Sequence, residues 1–151
     1  MKTHLAVLVL TGAVLSTAAV AWAQGLKPER ITPEDMRNAK WTTSPSGTSQ
    51  ATVVGDPSKP GLYVSISKFP AGLKTIVHTH PDDRVVTVIS GTAYFGFGET
   101  FDETGVQAMP AGTVYTEPAN QPHYNWAKDG ELVIQVVGFG PSGTTPFRPG
   151  K

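Results

Sequence analysis

The chain has 151 residues, with twelve basic and twelve acidic side chains and no cysteine. Lysine and arginine are not clustered and no heptad repeat occurs, which argues against a nucleic-acid-binding protein and a coiled coil. Without cysteine the fold has no disulfide, so its stability has to come from a hydrophobic core or a metal. A chain of this length buries enough surface for one independent domain.

The first 23 residues are predicted to be a signal peptide. Lys2 precedes residues 5–20, a run of apolar and small residues without charge, and residues 21–23 (Ala-Trp-Ala) fit a cleavage site. Cleavage after residue 23 makes the mature protein periplasmic or secreted, with no membrane segment and a net charge near −1. An uncleaved membrane anchor is the alternative, because the apolar run is almost long enough to span a bilayer.

The remaining chain is predicted to be all-β after one short helix. Thr32 as N-cap, Pro33 at the first helical position and acidic residues in the first turn predict a helix over 33–39. Segments rich in Val, Ile, Thr, Tyr and Phe then alternate with Gly, Pro and Asp turns. The predicted strands are 50–54, 61–69, 73–79, 85–90, 92–98, 106–109, 113–117, 123–127 and 131–139.

Many short strands without crossover helices are typical of an antiparallel sandwich or barrel, and the jelly roll is the expected form at this length. We divide the mature chain into an N-terminal segment over 24–49, a barrel over 50–140 and an extended C-terminal arm over 141–151. The arm is expected to pack if Phe147 finds a pocket and to fray otherwise. Gln135, a polar residue in a Val-rich strand, needs a partner and is a candidate to contact a metal-bound water.

The mature chain has three histidines, His78, His80 and His123. Positions i and i+2 on a strand share a face, so His78 and His80 are close enough to bind one ion. Three neutral imidazoles are suited to bind one divalent transition metal ion, and the candidates are Fe, Mn, Zn, Cu and Ni. Three protein ligands with an open position are typical of a catalytic metal site, since structural zinc sites usually have four.

The spacing around these histidines resembles two motifs of the cupin superfamily over about residues 50–140. Gly72-x5-His78-x-His80-x3-Arg84-x6-Gly91 follows the first motif, Gly-x5-His-x-His-x3-Glu-x6-Gly. Gly112-x5-Pro118-x-Asn120-x2-His123 follows the second, Gly-x5-Pro-x-Gly-x2-His-x3-Asn. The resemblance implies a cupin-type antiparallel jelly-roll barrel in which the three histidines bind the metal at one end.

Three positions depart from the family pattern. Arg84 stands where the family has a metal-binding glutamate, and a guanidinium does not ligate metal. Asn120 replaces a glycine, which is mild because Asn tolerates left-handed backbone, and Ala127 replaces the final Asn. Three-histidine sites without the glutamate occur among cupin-like enzymes such as the thiol dioxygenases, so the resemblance still allows catalysis.

Glu117 is the candidate to compensate for the missing glutamate, because it ends a strand before the Pro118 turn and is expected opposite His123 across that hairpin. Three roles stay open for it: metal ligand, ion-pair partner of Arg84, and rim residue. Arg84 is expected either to turn outward to Asp82 or Asp83, or to stay at the site beside Glu117 or an anionic substrate.

These patterns predict a metal-dependent enzyme, dioxygenase-like or hydrolytic, that acts on a small organic molecule. Glu117 and Arg84 are its candidate catalytic residues, and a carboxylate-bearing substrate would suit Arg84. The alternative is a non-catalytic periplasmic module that binds a metal or a small ligand. A homodimer is expected through the edge formed by residues 41–54.

Overall fold

A computed structural model describes residues 26–150. The predicted signal peptide and its cleavage site lie outside the described residues. No helix within 26–150 combines the length and the apolar character that a membrane crossing requires.

One short helix, α1 (Pro33–Arg37), precedes the strands. Thr32 caps it: its hydroxyl accepts from the Asp35 backbone N–H, and the Asp35 carboxylate accepts from the Thr32 backbone N–H in return. This reciprocal capping and the Pro at the first turn explain why so short a segment is helical. The helix ends two residues earlier than predicted.

Eleven strands follow the helix within residues 26–150, and nearly all of the predicted strands are found. Two short strands, β1 and β11, were not predicted, and the predicted strand over 73–79 is regular only at its end. The strands are β1 (Thr42–Thr43), β2 (Ser49–Val54), β3 (Gly61–Phe69), β4 (His78–Thr79), β5 (Arg84–Ser90), β6 (Thr92–Phe97), β7 (Gln107–Pro110), β8 (Val114–Glu117), β9 (His123–Trp126), β10 (Leu132–Gly140) and β11 (Thr145–Pro146).

The strands form two antiparallel sheets. The first has six strands in the order β1-β2-β3-β10-β5-β8, and the second has five in the order β11-β4-β9-β6-β7. Long-range pairing such as β3 with β10 closes the chain into the predicted jelly roll. The all-β prediction is therefore confirmed.

The inner face of the first sheet is arranged in rows of side chains that the strand register sets. The first row contains Tyr63, Gly138, Arg84 and Glu117, from β3, β10, β5 and β8 in that order. The next two rows, moving along the strands, are Thr52, Ser65, Val136, Val86 and Tyr115, and then Gln50, Ser67, Ile134 and Val88.

The hydrophobic core lies between the sheets on the side of β5, β6 and β10. Its members are almost completely buried, including Val86, Val88, Phe95, Leu132 and Ile134. This core holds the two sheets at a fixed distance, so that the polar first row of one sheet faces the histidines of the other.

Gln135 does not point into the barrel. Its neighbours Ile134 and Val136 are buried, and alternation along the strand turns Gln135 to the outside, opposite Ile66 and Thr87. The suggested contact between Gln135 and a metal-bound water is therefore wrong. A polar residue in a Val-rich strand can also lie on the outward face of that strand, as Gln135 does.

Candidate metal centre

Three histidines meet at one end of the barrel. His78 on β4 is the direct cross-strand partner of His123 on β9, and His80 follows β4. One ring nitrogen from each histidine lies within 4.8 Å of the others, and all three side chains are buried. The expected convergence of the three imidazoles is present.

Each imidazole is oriented by a hydrogen bond at Nδ1. Backbone carbonyls lie 2.7 Å from His78 Nδ1, 2.7 Å from His80 Nδ1 and 2.8 Å from His123 Nδ1. A carbonyl is only an acceptor, so each Nδ1 carries the proton and each Nε2 keeps its lone pair. A hydrogen bond from the other ring nitrogen to a carbonyl is what fixes the tautomer and the orientation of metal-binding histidines.

The turn before His123 depends on Asn120. Asn120 has a φ of +60°, the left-handed conformation that the family supplies with glycine, and its N–H donates to the His80 carbonyl at 2.7 Å. The tolerance of Asn for this conformation explains why the substitution is compatible with the motif. The bond also ties the loop before His123 to the segment that carries His80.

Glu117 faces the three histidines. Its side chain is 4% exposed, and its Oε2 lies 3.7 Å from His80 Nε2 and 3.7 Å from His123 Nε2. The expected route across a hairpin is wrong, because β8 and β9 belong to different sheets. The carboxylate instead reaches His123 across the barrel interior, which excludes the role of a solvent-exposed rim residue.

Arg84 stays beside the site and pairs with Asp82. Its Nε lies 3.4 Å from Asp82 Oδ2, and its Nη2 donates to Ser142 Oγ at 2.6 Å and to the Gly143 carbonyl at 3.2 Å. The third nitrogen, Nη1, lies 4.0 Å from Glu117 Oε2, beyond hydrogen-bond distance. Arg84 therefore combines two of its expected placements, and its charge is balanced mainly by Asp82.

Asp82 is the centre of a buried hydrogen-bond network. Tyr63 donates its hydroxyl to Asp82 Oδ2 at 2.6 Å, and Ser142 donates to Asp82 Oδ1 at 2.6 Å. Gly138 makes room for this contact, since a Cβ there would lie 2.6 Å from the Tyr63 hydroxyl and 2.7 Å from Asp82 Oδ2. The sequence suggested Asp82 as a partner of Arg84 or a general base and Tyr63 as an aromatic near the metal, but it did not predict their hydrogen bond, because strand register brings Tyr63 into the first row.

The C-terminal arm packs on the centre. Thr145 and Pro146 form β11, which pairs with β4, and the Phe147 N–H donates to the Val77 carbonyl. Gly143, four residues earlier, supplies the carbonyl that accepts from His80 Nδ1. The arm is thus part of the site, a role that its Gly-, Ser- and Pro-rich sequence does not signal.

Burial dominates the ionisation of the central groups. It lowers the pKa of His80 to about 2 and that of His123 to about 4, and it also lowers the pKa of His78. Burial raises the pKa of Glu117 to about 7, against the opposing effect of the Arg84 charge. Neutral imidazoles are the form that binds a metal.

The residues present fit a metal ion. His123 Nε2 is buried and has no hydrogen-bond partner within residues 26–150, an unusual state for a polar atom. It points to the same centre as two other imidazoles and a carboxylate, which are the donors that transition metals prefer. A metal ion would satisfy this orphaned nitrogen.

A cavity of about 700 Å³ opens onto this centre. His78, His80, Arg84, Glu117 and Asn125 line its inner end, and residues of the N-terminal segment line its mouth. A volume of this size is typical of small-molecule sites. The centre is therefore accessible to a ligand although its side chains are buried.

Comparison with known proteins identifies the fold. The sequence matches no described protein family and no curated protein. The structure resembles a polyketide cyclase from Streptomyces resistomycificus, with a TM-score of 0.64, 14% identity, and coverage of 83% of this chain and 89% of the other.

Two further solved structures are similar. One is a sugar phosphate isomerase of the cupin superfamily from Silicibacter pomeroyi, with a TM-score of 0.53 and 19% identity over 70% of this chain and 74% of the other. The second is a structure of DMSP lyases, with a TM-score of 0.56 and 20% identity over 68% of this chain, which spans 57% of that longer one. The chain therefore has the cupin fold, and three histidines converge at one end of its barrel.

Proposed function

We propose that this cupin binds one divalent transition metal through His78, His80 and His123, and that it is a metal-dependent enzyme acting on a small organic molecule. The observation that carries the proposal is the convergence of three ring nitrogens within 4.8 Å, each oriented by a carbonyl at the other nitrogen. Such preorganised lone pairs are costly to bury without a partner, and a metal supplies that partner.

Glu117 is proposed as the fourth ligand. Ligands at about 2.1 Å from a common ion in tetrahedral geometry lie roughly 3.4 Å apart, and Glu117 Oε2 lies 3.7 Å from two of the histidine nitrogens. The carboxylate thus takes, from a different strand, the place that a glutamate at position 84 has in the family pattern. If Glu117 does not bind the metal, its position makes it the proton acceptor of the site.

The chemistry that a metal supplies when bound is polarisation of a substrate oxygen or activation of dioxygen. The chain's own residues supply the setting. Arg84, held by Asp82, places a positive charge beside Glu117 and stabilises its ionised form. Arg84 and Glu117 of the first row line the inner end of the cavity, where both can meet a bound ligand.

Catalysis rather than simple metal storage is favoured by the cavity, since about 700 Å³ of space leads to the centre. The solved neighbours include a lyase, a cyclase and an isomerase, which supports an enzyme without naming its reaction. The competing function is non-catalytic binding of a metal or small ligand in the periplasm.

Metal analysis of natively produced full-length protein tests this proposal. One equivalent of iron or manganese is expected for an oxygen-using enzyme, measured by elemental analysis, together with dioxygen uptake in the presence of candidate organic acids. Stoichiometric zinc or copper without turnover of any candidate would favour the binding module. Absence of bound metal after incubation with each of the five metals would refute the metal centre.

Export and dimer formation are further parts of the proposal. Support for export is the pattern of residues 1–23, and an intact mass that begins at Gln24 in a soluble fraction is the expected result. Support for a dimer is the edge of the first sheet, where β1 has only two residues and leaves most of β2 accessible to pairing. Sedimentation of the mature protein decides between monomer and dimer.

A further inference from the structure

The cavity has one wall rich in hydroxyl groups. Six Ser and Thr side chains line it on the side of the N-terminal segment, β2 and β3: Thr42, Ser44, Ser46, Thr48, Thr52 and Ser67. We infer that the cavity binds a polyhydroxylated carboxylate, such as an aldonic or uronic acid, with its hydroxyl groups on this wall and its carboxylate at the metal end. This inference rests on the proposed metal function of the same site.

Across the first sheet, polar residues on β2 and β3 are followed by apolar residues on β10 and β5. In the second row, Thr52 and Ser65 lie beside Val136 and Val86, and in the third row Gln50 and Ser67 lie beside Ile134. All of these positions share one face of the sheet: Ser65 and Ser67 are buried, where a sandwich sheet is ordinarily apolar, and Gln50 and Thr52 are exposed at the cavity. In these two rows the polar residues lie on β2 and β3 and the apolar ones on β10 and β5, so the β2–β3 side of the cavity is its polar side.

Most hydroxyl groups on this wall are exposed to the cavity, and Ser44 Oγ and Ser46 Oγ lie 2.7 Å apart. Thr52 Oγ1 and Ser65 Oγ are 3.4 Å apart, a weak contact, although Ser65 is fully buried and Ser67 is 5% exposed. Across the cavity, Asn125 is 3% exposed and its Oδ1 has no hydrogen-bond partner among residues 26–150. Polar groups in such positions are satisfied by water or by a ligand that reproduces its hydrogen bonds.

An apolar strip accompanies the polar wall. Phe69, Ile134 and Val136 line the same cavity and are nearly completely buried within the fold. A ring with hydroxyl groups at its edge and C–H bonds on its face needs both kinds of surface. A purely apolar ligand would leave the hydroxyl wall without partners, at a cost for each hydroxyl group that is buried.

Positive charge at the two ends of the cavity favours an anion. Lys40 lies at the mouth, and Arg84 lies at the inner end with Nη1 directed toward Glu117. Glu117 is the single carboxylate among the described residues that line the cavity. Asp82 and Glu117 outweigh the charge of Arg84, so it is a dication bound among the histidines that makes the inner end net positive, and a ligand carboxylate would balance that charge.

Calorimetric titration of metal-loaded full-length protein tests the inference. The probes are gluconate, glucuronate and galacturonate, with hexanoate as a carboxylate without hydroxyls and sorbitol as a polyol without carboxylate. At least one sugar acid is expected to bind about tenfold or more tightly than both controls. Equal or tighter binding of hexanoate, or no binding of any sugar acid, would overturn the inference.

Removing two hydroxyl groups from the wall tests whether the wall determines the affinity for sugar acids. A Thr52→Val/Ser67→Ala variant is expected to weaken sugar-acid binding about tenfold and to leave hexanoate binding unchanged, since each lost hydrogen bond contributes roughly three- to tenfold. Thr87→Val, on the outer face of β5, is the matched control. Unchanged sugar-acid affinity in the double variant would contradict the inference. Metal content of the same samples tests the metal function separately, because these variants leave the histidines intact.

Discussion

Arg84 and Glu117 are direct cross-strand partners on β5 and β8, and the glutamate oxygen nearest the histidines lies 4.0 Å from the arginine Nη1. Cross-strand partners share one face of a sheet, so the residue that departs most from the cupin pattern stands next to the residue that compensates for it. The carboxylate reaches the histidines from β8, while the guanidinium turns to Asp82 and the C-terminal arm.

Replacing any of the three histidines is expected to remove the metal. His78→Ala, His80→Ala and His123→Ala each delete one of three converging nitrogens, and each should lower metal affinity by at least about a hundredfold. Competition titration with a chromogenic chelator measures this. Thr79→Ala is the control, because Thr79 lies between two of the histidines on the chain and contributes no ligand atom. Full stoichiometry in a histidine variant would remove that residue from the site.

Glu117→Gln is expected to have opposite effects in the two states of the protein. In the metal-free protein, burial raises the pKa of Glu117 to about 7, above its ordinary value of 4.5. The carboxyl group therefore favours folding below pH 4.5, and this contribution is lost as the pH rises through 7. The variant should raise the Tm of the metal-free protein by several degrees at pH 8 and much less at pH 5.

In the metal-loaded protein the same variant should lower affinity for the metal at least about tenfold, because an amide oxygen is a weaker ligand than a carboxylate. Thermal unfolding with and without chelator separates the two effects. Unchanged metal affinity would show that Glu117 is not a ligand. A loss of turnover with the metal retained would then assign it to proton transfer.

Arg84→Ala is expected to destabilise the protein by roughly 3–5 kcal/mol, because it leaves Asp82 as an uncompensated buried charge. Denaturant unfolding of the metal-free protein measures this. Asp82→Asn combined with Arg84→Met should recover most of the loss, since neither charge then remains. If Arg84→Ala has the same free energy of unfolding as the wild type, the Arg84–Asp82 ion pair does not stabilise the fold.

Ser142→Ala tests the contribution of the C-terminal arm. The Ser142 hydroxyl joins Asp82 to Arg84, and the next residue provides the carbonyl that orients His80. Loss of this support should weaken metal binding about tenfold, as is usual when a group that orients a metal ligand is removed. Nitrogen NMR of the His80 ring should also show a mixture of tautomers. Thr145→Ala, an exposed position on β11, is the control, and equal metal affinity in both variants would exclude this role for Ser142.

The sequence by itself determined the fold class, most strand positions and the choice of the three histidines as candidate metal ligands. These properties depend on local patterns: alternation along strands, Gly and Pro turns, and the i, i+2 spacing of His78 and His80. The capping of α1 was equally local, since all of its hydrogen bonds join residues within one turn.

Only the tertiary structure decided how the site is completed. Glu117 meets His123 across the space between two sheets, and Gly143 meets His80 although 63 residues separate them along the chain. Such contacts depend on sheet order and register, to which residues far apart in the sequence contribute together. The same dependence placed Gln135 outside the barrel and brought Tyr63 to Asp82, because a strand residue's face is set by the packing of the whole sheet.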